Sequence, residues 1–416
     1  MRDANSMGGG DREAGALPYA NLGRSLAALR RFAEAADAFR RGAVLDPGLF
    51  EAHAGLAETL ALLGRHRESA DSSRAAARLA PGNARVRVLL GNALCRLGEF
   101  GDAVVAFRDA RRIDPACRGA LRGLGRASAE SGDLAGAEEA FRGEMDGSPG
   151  EALPRYNLGT ILGKAGKLAE AARLLREAGD LDPGRAEAHY NHGVCLCRVH
   201  QYRQAVTAFR DALRARPEYT KARYNLGVAL HESGRHEDAA AAFRETAERQ
   251  PDHARALYNL GKAYAALGRE RDALGAFREG ARIPPGHAAS HVAIGAILYR
   301  LGRLEDAAEE FRHAIRLRPR DARGYNGLGA ALYGIGRFAE AEEAFRAAVR
   351  FFPGGACENF NLGLCLLLRK DREGASRQIS ALSALDPGLA ARYEALVRSR
   401  LVMVPARPAV RSRQGA

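Results

Sequence analysis

Prolines punctuate this chain at a constant interval of 34 residues. Proline has no backbone N–H and cannot continue a helix, so each one marks the same helix end in a repeated unit. A fixed period of this length is typical of an array of identical supersecondary units. The eleven prolines are Pro47, Pro81, Pro115, Pro149, Pro183, Pro217, Pro251, Pro285, Pro319, Pro353 and Pro387.

Other residue types keep the same register. A glycine stands 24 residues before the proline, namely Gly23, Gly91, Gly125, Gly159, Gly193, Gly227, Gly261, Gly295, Gly329 and Gly363, with Ala57 in the second unit. A second glycine stands 17 residues before it, namely Gly64, Gly98, Gly132, Gly166, Gly234, Gly268, Gly302 and Gly336. An aromatic residue stands eight before it, namely Phe39, Phe107, Phe141, Phe209, Phe243, Phe277, Phe311 and Phe345, with Ser73, Leu175 and Ile379 elsewhere.

These spacings predict two helices per unit, separated by a glycine-containing turn and closed by the proline. The second glycine suits the left-handed conformation that ends the first helix. We expect the phenylalanine to fill the space between one helix pair and the next. A helix pair of this size cannot bury its apolar face alone, whereas stacked neighbours bury a continuous core.

The pattern resembles the tetratricopeptide repeat (TPR) family over residues 16–387, in eleven units without insertion or deletion. The resemblance implies an all-α fold, an α-solenoid whose helix pairs form a right-handed superhelix with a concave groove lined by the first helices. Around the repeats we predict a disordered N-terminal segment at residues 1–15, a capping helix at 388–403 and a basic disordered tail at 404–416.

Composition narrows the classes of function. The formal net charge is +13, and no stretch approaches the roughly 20 apolar residues of a membrane span. The polar N-terminus lacks the apolar segment of a secretory signal, and the six cysteines include no CxxC pair. We therefore expect a cytoplasmic protein with reduced cysteines and no membrane association.

Sequence signatures of catalysis are missing. The chain has no glycine-rich phosphate loop, no HExxH and no GxSxG, so we predict that it is not an enzyme and needs no cofactor. His189, His192 and Cys195 have a helical spacing that suits metal ligands. They occupy packing positions of their unit, however, and we predict no metal site.

One surface of the first helices carries paired tyrosine and asparagine residues. Asparagine both donates and accepts hydrogen bonds, which matches the backbone of an extended peptide, and tyrosine adds rigid contact area. Such an asparagine ladder resembles the TPR arm of protein O-GlcNAc transferases. The alternative is that Tyr-Asn-Leu-Gly is only the inherited consensus of the repeat. The predicted peptide-binding residues are Asn21, Asn157, Asn191, Asn225, Asn259, Asn361, Tyr156, Tyr190, Tyr224 and Tyr258.

Basic residues outnumber acidic ones at the first-helix positions that the resemblance places in the groove. The excess of positive charge favours an acidic partner through electrostatic steering. The basic residues predicted to contact such a partner are Arg122, Arg126 and Lys164. The alternative is that these residues are only solvent-exposed charges of an arginine-rich protein and have no role in binding.

Taken together, these patterns indicate a non-enzymatic scaffold that binds an extended peptide or protein segment in its groove. A second hypothesis is an accessory subunit that presents substrates to a separate glycosyltransferase. A third is a nucleic-acid-binding repeat protein, which is disfavoured because aromatic stacking platforms are missing outside the units with Tyr-Asn pairs. The identity of the partner and the oligomeric state are left open by the sequence.

Overall fold

Each 34-residue unit folds into a hairpin of two α-helices in the computed structural model, which describes residues 9–283 and 286–399. No strand occurs within these residues. The predicted fold class, an all-α solenoid of helix pairs, is confirmed. Pro285, residues 1–8 of the predicted N-terminal segment and the whole predicted tail at 404–416 lie outside the described residues.

The chain divides into two units, Met1–Pro217 and Glu218–Ala416. In the first, six hairpins are formed by α1 (Gly9–Ala28), α2 (Phe32–Leu45), α3 (Phe50–Leu62), α4 (His66–Leu79), α5 (Ala84–Leu97), α6 (Phe100–Ile113), α7 (Arg118–Glu130), α8 (Leu134–Asp146), α9 (Ala152–Lys164), α10 (Leu168–Leu181), α11 (Ala186–Arg198) and α12 (Tyr202–Ala215).

In the second unit, the helices are α13 (Thr220–Glu232), α14 (His236–Arg249), α15 (Ala254–Ala266), α16 (Glu270–Arg282), α17 (Ala288–Arg300), α18 (Leu304–Leu317), α19 (Ala322–Ile335), α20 (Phe338–Phe351), α21 (Ala356–Leu368), α22 (Arg372–Leu385) and α23 (Pro387–Ser399). They form five hairpins, followed by α23. In both units each second helix packs on the first helix of its own hairpin and on that of the next hairpin in the unit.

The turn inside each hairpin needs a left-handed residue. All eight of the second glycines have φ between 73° and 89°, as predicted from their position. The three units that lack this glycine use Arg30, His200 and Lys370, with φ between 58° and 64°. The turn geometry is therefore kept even where a side chain makes it costly.

The first glycine of each hairpin has a different role, because it lies inside a helix. A β-carbon added there would come within 2.5–2.9 Å of the phenylalanine ring in the eight hairpins that have one. The ring of Phe39 also reaches Gly55 of the next hairpin, and Phe107 likewise reaches Gly123. The phenylalanines thus fill the space between successive hairpins, as the sequence predicted.

The ends differ partly from the sequence-based boundaries. Residues 9–15, expected to be disordered, form the first turns of α1. At the other end, α23 ends at Ser399, and residues 400–403 of the predicted capping helix lie outside the described residues. α23 contacts α21 and α22, and it buries Tyr393 against Gly363.

Candidate peptide-binding surface

The predicted asparagines all lie on first helices of their hairpins, but they are not equally accessible. Asn21 on α1 is exposed, and Asn157 on α9 and Asn191 on α11 are half-buried. In the second unit, Asn225 on α13 and Asn259 on α15 are also half-buried. Four of these five therefore show only part of their amide to solvent.

Asn361 departs from this arrangement. Its side chain is fully buried, and its Nδ2 donates a hydrogen bond of 3.0 Å to Oδ1 of Asn326 on the preceding first helix. Asn326 is itself only 4% exposed, so the bond lies inside the contact between α19 and α21. The expectation that Asn361 faces a ligand therefore needs correction, since its amide serves the packing of the last hairpins.

Two of the half-buried asparagines also bond to the preceding hairpin. Asn191 donates from Nδ2 to Oγ1 of Thr160 at 3.3 Å, and Asn259 donates to the hydroxyl of Tyr224 at 2.9 Å. These bonds connect neighbouring first helices, because the partners are 31 and 35 residues apart. The asparagines therefore fix the spacing of adjacent hairpins and keep part of each amide available.

The tyrosines are anchored by their rings. The ring centroids of Tyr190 and Phe209 are 5.9 Å apart, and those of Tyr258 and Phe277 are 5.5 Å apart. Tyr224 meets Phe243 in the same way at 5.8 Å. These distances are typical of favourable aromatic pairs.

Tyr156 has a different neighbour and lies below a cation. The guanidinium of Arg185 lies 5.6 Å from the centroid of its ring, within the range of a cation–π interaction. In the second unit, burial raises the pKa of both Tyr224 and Tyr258. All four tyrosines are half-buried, so part of each side chain is used in packing and part is exposed to solvent.

Histidine rings add a feature that the sequence analysis missed. The ring of His253 lies 4.9 Å from that of Tyr224, and the ring of His287 lies 5.1 Å from that of Tyr258. Both histidines stand directly before the first helix of a hairpin, at the position where they contact the preceding tyrosine. The repeat spacing of 34 between His253 and His287 is the sequence signal that would have revealed them.

The three predicted basic residues differ in whether their charge is free or paired. Arg126 and Lys164 are exposed. Arg122 instead donates from Nε to Oε1 of Glu144 at 2.6 Å, and Glu144 is only 1% exposed. Because a buried carboxylate neutralises it, Arg122 does not add a free positive charge to the surface.

The other candidate cluster, formed by the histidines and cysteines of α11, has a structural environment. The imidazole of His189 lies against Gly179, and Cys195 is buried. Burial, with a smaller effect of Arg176, lowers the pKa of His192 to about 4. Within the described ranges, no three His, Cys, Asp or Glu side chains come together as a metal site would require.

A family model described as tetratricopeptide repeat matches the chain at residues 21–84, 88–152, 156–198, 196–247, 232–288 and 292–356. These segments cover well over half of the sequence. The chain belongs to the tetratricopeptide repeat family. TPR proteins generally mediate protein–protein interactions through a non-catalytic repeat scaffold.

The chain is also similar to proteins of known structure. The C-terminal part of a TPR protein from Cytophaga hutchinsonii is 16% identical, with a TM-score of 0.51, and the match covers 58% of this chain and 99% of that one. Yeast Tom70 is 14% identical, with a TM-score of 0.45, covering 94% and 96%.

A third structure, YrrB, is described as a TPR protein with an unusual peptide-binding site. It is 24% identical, with a TM-score of 0.41, and the match covers 45% of this chain and 97% of that chain. A comparison with curated proteins found no match. In the described part of this TPR protein, no helix is long and apolar enough to cross a membrane.

Proposed function

We propose that this TPR protein is a non-enzymatic scaffold that binds an extended segment of a partner protein along the first helices of its hairpins. The observation that carries the proposal is the recurrence of half-buried Tyr-Asn pairs on consecutive first helices, α9 and α11 in the first unit and α13 and α15 in the second. Consecutive first helices also contact each other, which brings neighbouring pairs close together.

The chemistry of the asparagine amide supports a backbone ligand. In Asn191 and Asn259, one amide hydrogen is used by the neighbouring hairpin, and this bond orients the amide plane. The amide oxygen and the second hydrogen are left to pair with an N–H and a C=O of a peptide. Backbone pairing of this kind tolerates many side-chain sequences, as a scaffold for extended segments requires.

The test begins with a ligand selected from a display library of extended peptides, whose affinity is then measured by calorimetry. Asn259→Ala removes the amide, and Tyr224→Phe is its matched control, because it breaks the same hydrogen bond and keeps the ring. We expect Asn259→Ala to weaken binding about fivefold to tenfold, the value of one net hydrogen bond. Tyr224→Phe should change it less than threefold.

The pair Asn191→Ala and Thr160→Val repeats the comparison in the first unit. Equal losses for both members of each pair would mean that only the bond between hairpins matters. Native affinity in both asparagine variants, with intact helical circular dichroism, would place the ligand elsewhere on the molecule.

We further propose that the partner segment is acidic. This part of the proposal rests on the exposed Arg126 and Lys164 rather than on Arg122. Exposed charges act mainly on the rate of association, and salt screens them beyond roughly 8 Å at physiological ionic strength. The double substitution Arg126→Ser and Lys164→Ser should slow association with an acidic peptide and leave dissociation nearly unchanged. An affinity that is the same at low and high salt would contradict this part.

A further inference from the structure

The fourth hairpin, α7 and α8, departs from the other ten at a core position. Ser128 stands three residues after the first glycine, where the other hairpins have a large apolar side chain. Those residues are Leu26, Leu60, Leu94, Leu162, Leu196, Leu230, Tyr264, Leu298, Leu332 and Leu366. Ser128 is fully buried, and its Oγ has no hydrogen-bond partner within the described residues.

The same hairpin also lacks a carboxylate at its outer edge. Gly136 stands near the start of α8, where nine other hairpins have an acidic residue or glutamine. Those residues are Glu34, Glu68, Asp102, Glu170, Gln204, Asp238, Asp272, Asp306 and Glu340, and only the last hairpin also has a glycine, Gly374.

In two other hairpins, this carboxylate pairs with an arginine of the preceding hairpin. In six hairpins, it pairs with the arginine three residues before it. Arg142 lies 2.9 Å from Glu170, and Arg40 lies 3.6 Å from Glu68. The equivalent arginine that precedes Gly136 is Arg108. No carboxylate of the described residues lies within ion-pair distance of its guanidinium.

Beside these two positions, a cavity of about 430 Å³ that is open to solvent lies between α6, α7 and α8. Its lining includes Arg108, Arg111 and Arg112 from α6, Ser128 from α7, and Gly136 and Glu139 from α8. Glu139 is 3.4 Å from Arg111, and Arg112 pairs with Asp109, which is outside the lining, at 2.9 Å. Two of the three guanidinium groups are therefore paired, and Arg108 leaves one positive charge at the site.

We propose that this cavity binds a phosphate group in place of the missing carboxylate. A phosphate accepts hydrogen bonds from a guanidinium fork and from a hydroxyl, so it would pair with Arg108 and also satisfy the buried Oγ of Ser128. The cavity is lined mainly by second helices, whereas the Tyr-Asn pairs lie on first helices. The phosphate site is therefore separate from the proposed peptide-binding surface and independent of it.

The test measures binding of inorganic phosphate and of phosphoserine to the full chain by calorimetry, at constant ionic strength. Gly136→Glu restores the carboxylate beside Arg108, and Ser128→Leu restores the core side chain. Both substitutions introduce residue types that the other hairpins carry. A β-carbon at position 136 would lie 2.2 Å from the Asp133 carboxylate, which must turn away, so circular dichroism checks that each variant keeps the helical fold. Gly82→Glu, in the turn between α4 and α5, adds the same charge outside the cavity and serves as the control.

We expect saturable phosphate binding by the native chain and by Gly82→Glu, and affinity at least tenfold weaker in Gly136→Glu and in Ser128→Leu. Tighter binding of phosphoserine than of inorganic phosphate would indicate that the group is carried by a modified protein, and equal binding would indicate the free anion. Absence of saturable binding, native affinity in Gly136→Glu, or equal competition by acetate would overturn the proposal.

Discussion

The ring of Phe243 occupies the space that a side chain at Gly227 would need. A β-carbon on Gly227 would lie 2.7 Å from Cε1 of Phe243, closer than such atoms approach in folded proteins. Both residues belong to one hairpin, and Phe243 is only 1% exposed. This glycine lies inside α13, so it is required by packing rather than by a turn.

The first prediction follows from this contact. Gly227→Ala should lower the free energy of unfolding by about 1–3 kcal/mol, because the added methyl overpacks a rigid ring. Gly275→Ala is the matched control, since Gly275 is exposed on α16 and nothing lies within 4 Å of its missing β-carbon. It should raise the free energy of unfolding by about 0.5–1 kcal/mol. Urea denaturation of both variants tests whether the two changes in the free energy of unfolding have opposite signs.

Periodicity predicted this part of the fold well. A residue that recurs every 34 positions reports a place in the hairpin, so the sequence alone located the turn glycines and the inter-hairpin phenylalanines. The sequence did not predict the left-handed conformation of Arg30, His200 and Lys370, because these residue types do not indicate it. Only the backbone of the structure shows it.

The candidate site was less predictable, because it depends on which side chains reach one another. The pairing of Arg122 with Glu144 joins residues 22 positions apart. A signal was present, since Arg155–Glu177 and Arg223–Glu245 have the same separation. The full burial of Asn361 had no such signal, since Asn225 and Asn259 stand at the same repeat position and are only half-buried.

The second prediction concerns the second hairpin, where Ala57 and Ser73 replace the glycine and the phenylalanine. Ser73 is buried, and its Oγ has no partner in the described part of the chain. Ser73→Phe alone should destabilise the protein, because the ring would meet the methyl group of Ala57. Adding Ala57→Gly should recover at least about 1 kcal/mol.

A double-mutant cycle by chemical denaturation measures this coupling. Additive effects of the two substitutions would show that the glycine and the phenylalanine are not linked. In the native chain, amide hydrogen exchange should show residues 50–81 to be less protected than the neighbouring hairpins of the first unit, since no large side chain fills this junction.

The third prediction concerns the ion pair of Arg122 and Glu144. Arg122→Ala leaves a buried carboxylate without its cation and should cost about 2–3 kcal/mol, less than for a fully buried pair because Arg122 is 40% exposed. The double variant Arg122→Leu and Glu144→Ala should recover most of that loss. If Arg122→Ala were as stable as the native chain, the ion pair would contribute nothing to stability. Arg122 would then count, like Arg126 and Lys164, as a positive charge available to a partner.

The fourth prediction concerns His192, which stands at a position that is leucine or isoleucine in the other hairpins. Burial lowers its pKa from 6.5 to about 4. The unfolded chain therefore binds the proton more readily, and the free energy of unfolding should fall by about 1–2 kcal/mol as the pH drops from 6.5 to 4. His192→Leu should make the protein less sensitive to pH across this window. Urea titrations at several pH values check this, and an unchanged pH dependence in His192→Leu would show that other groups dominate.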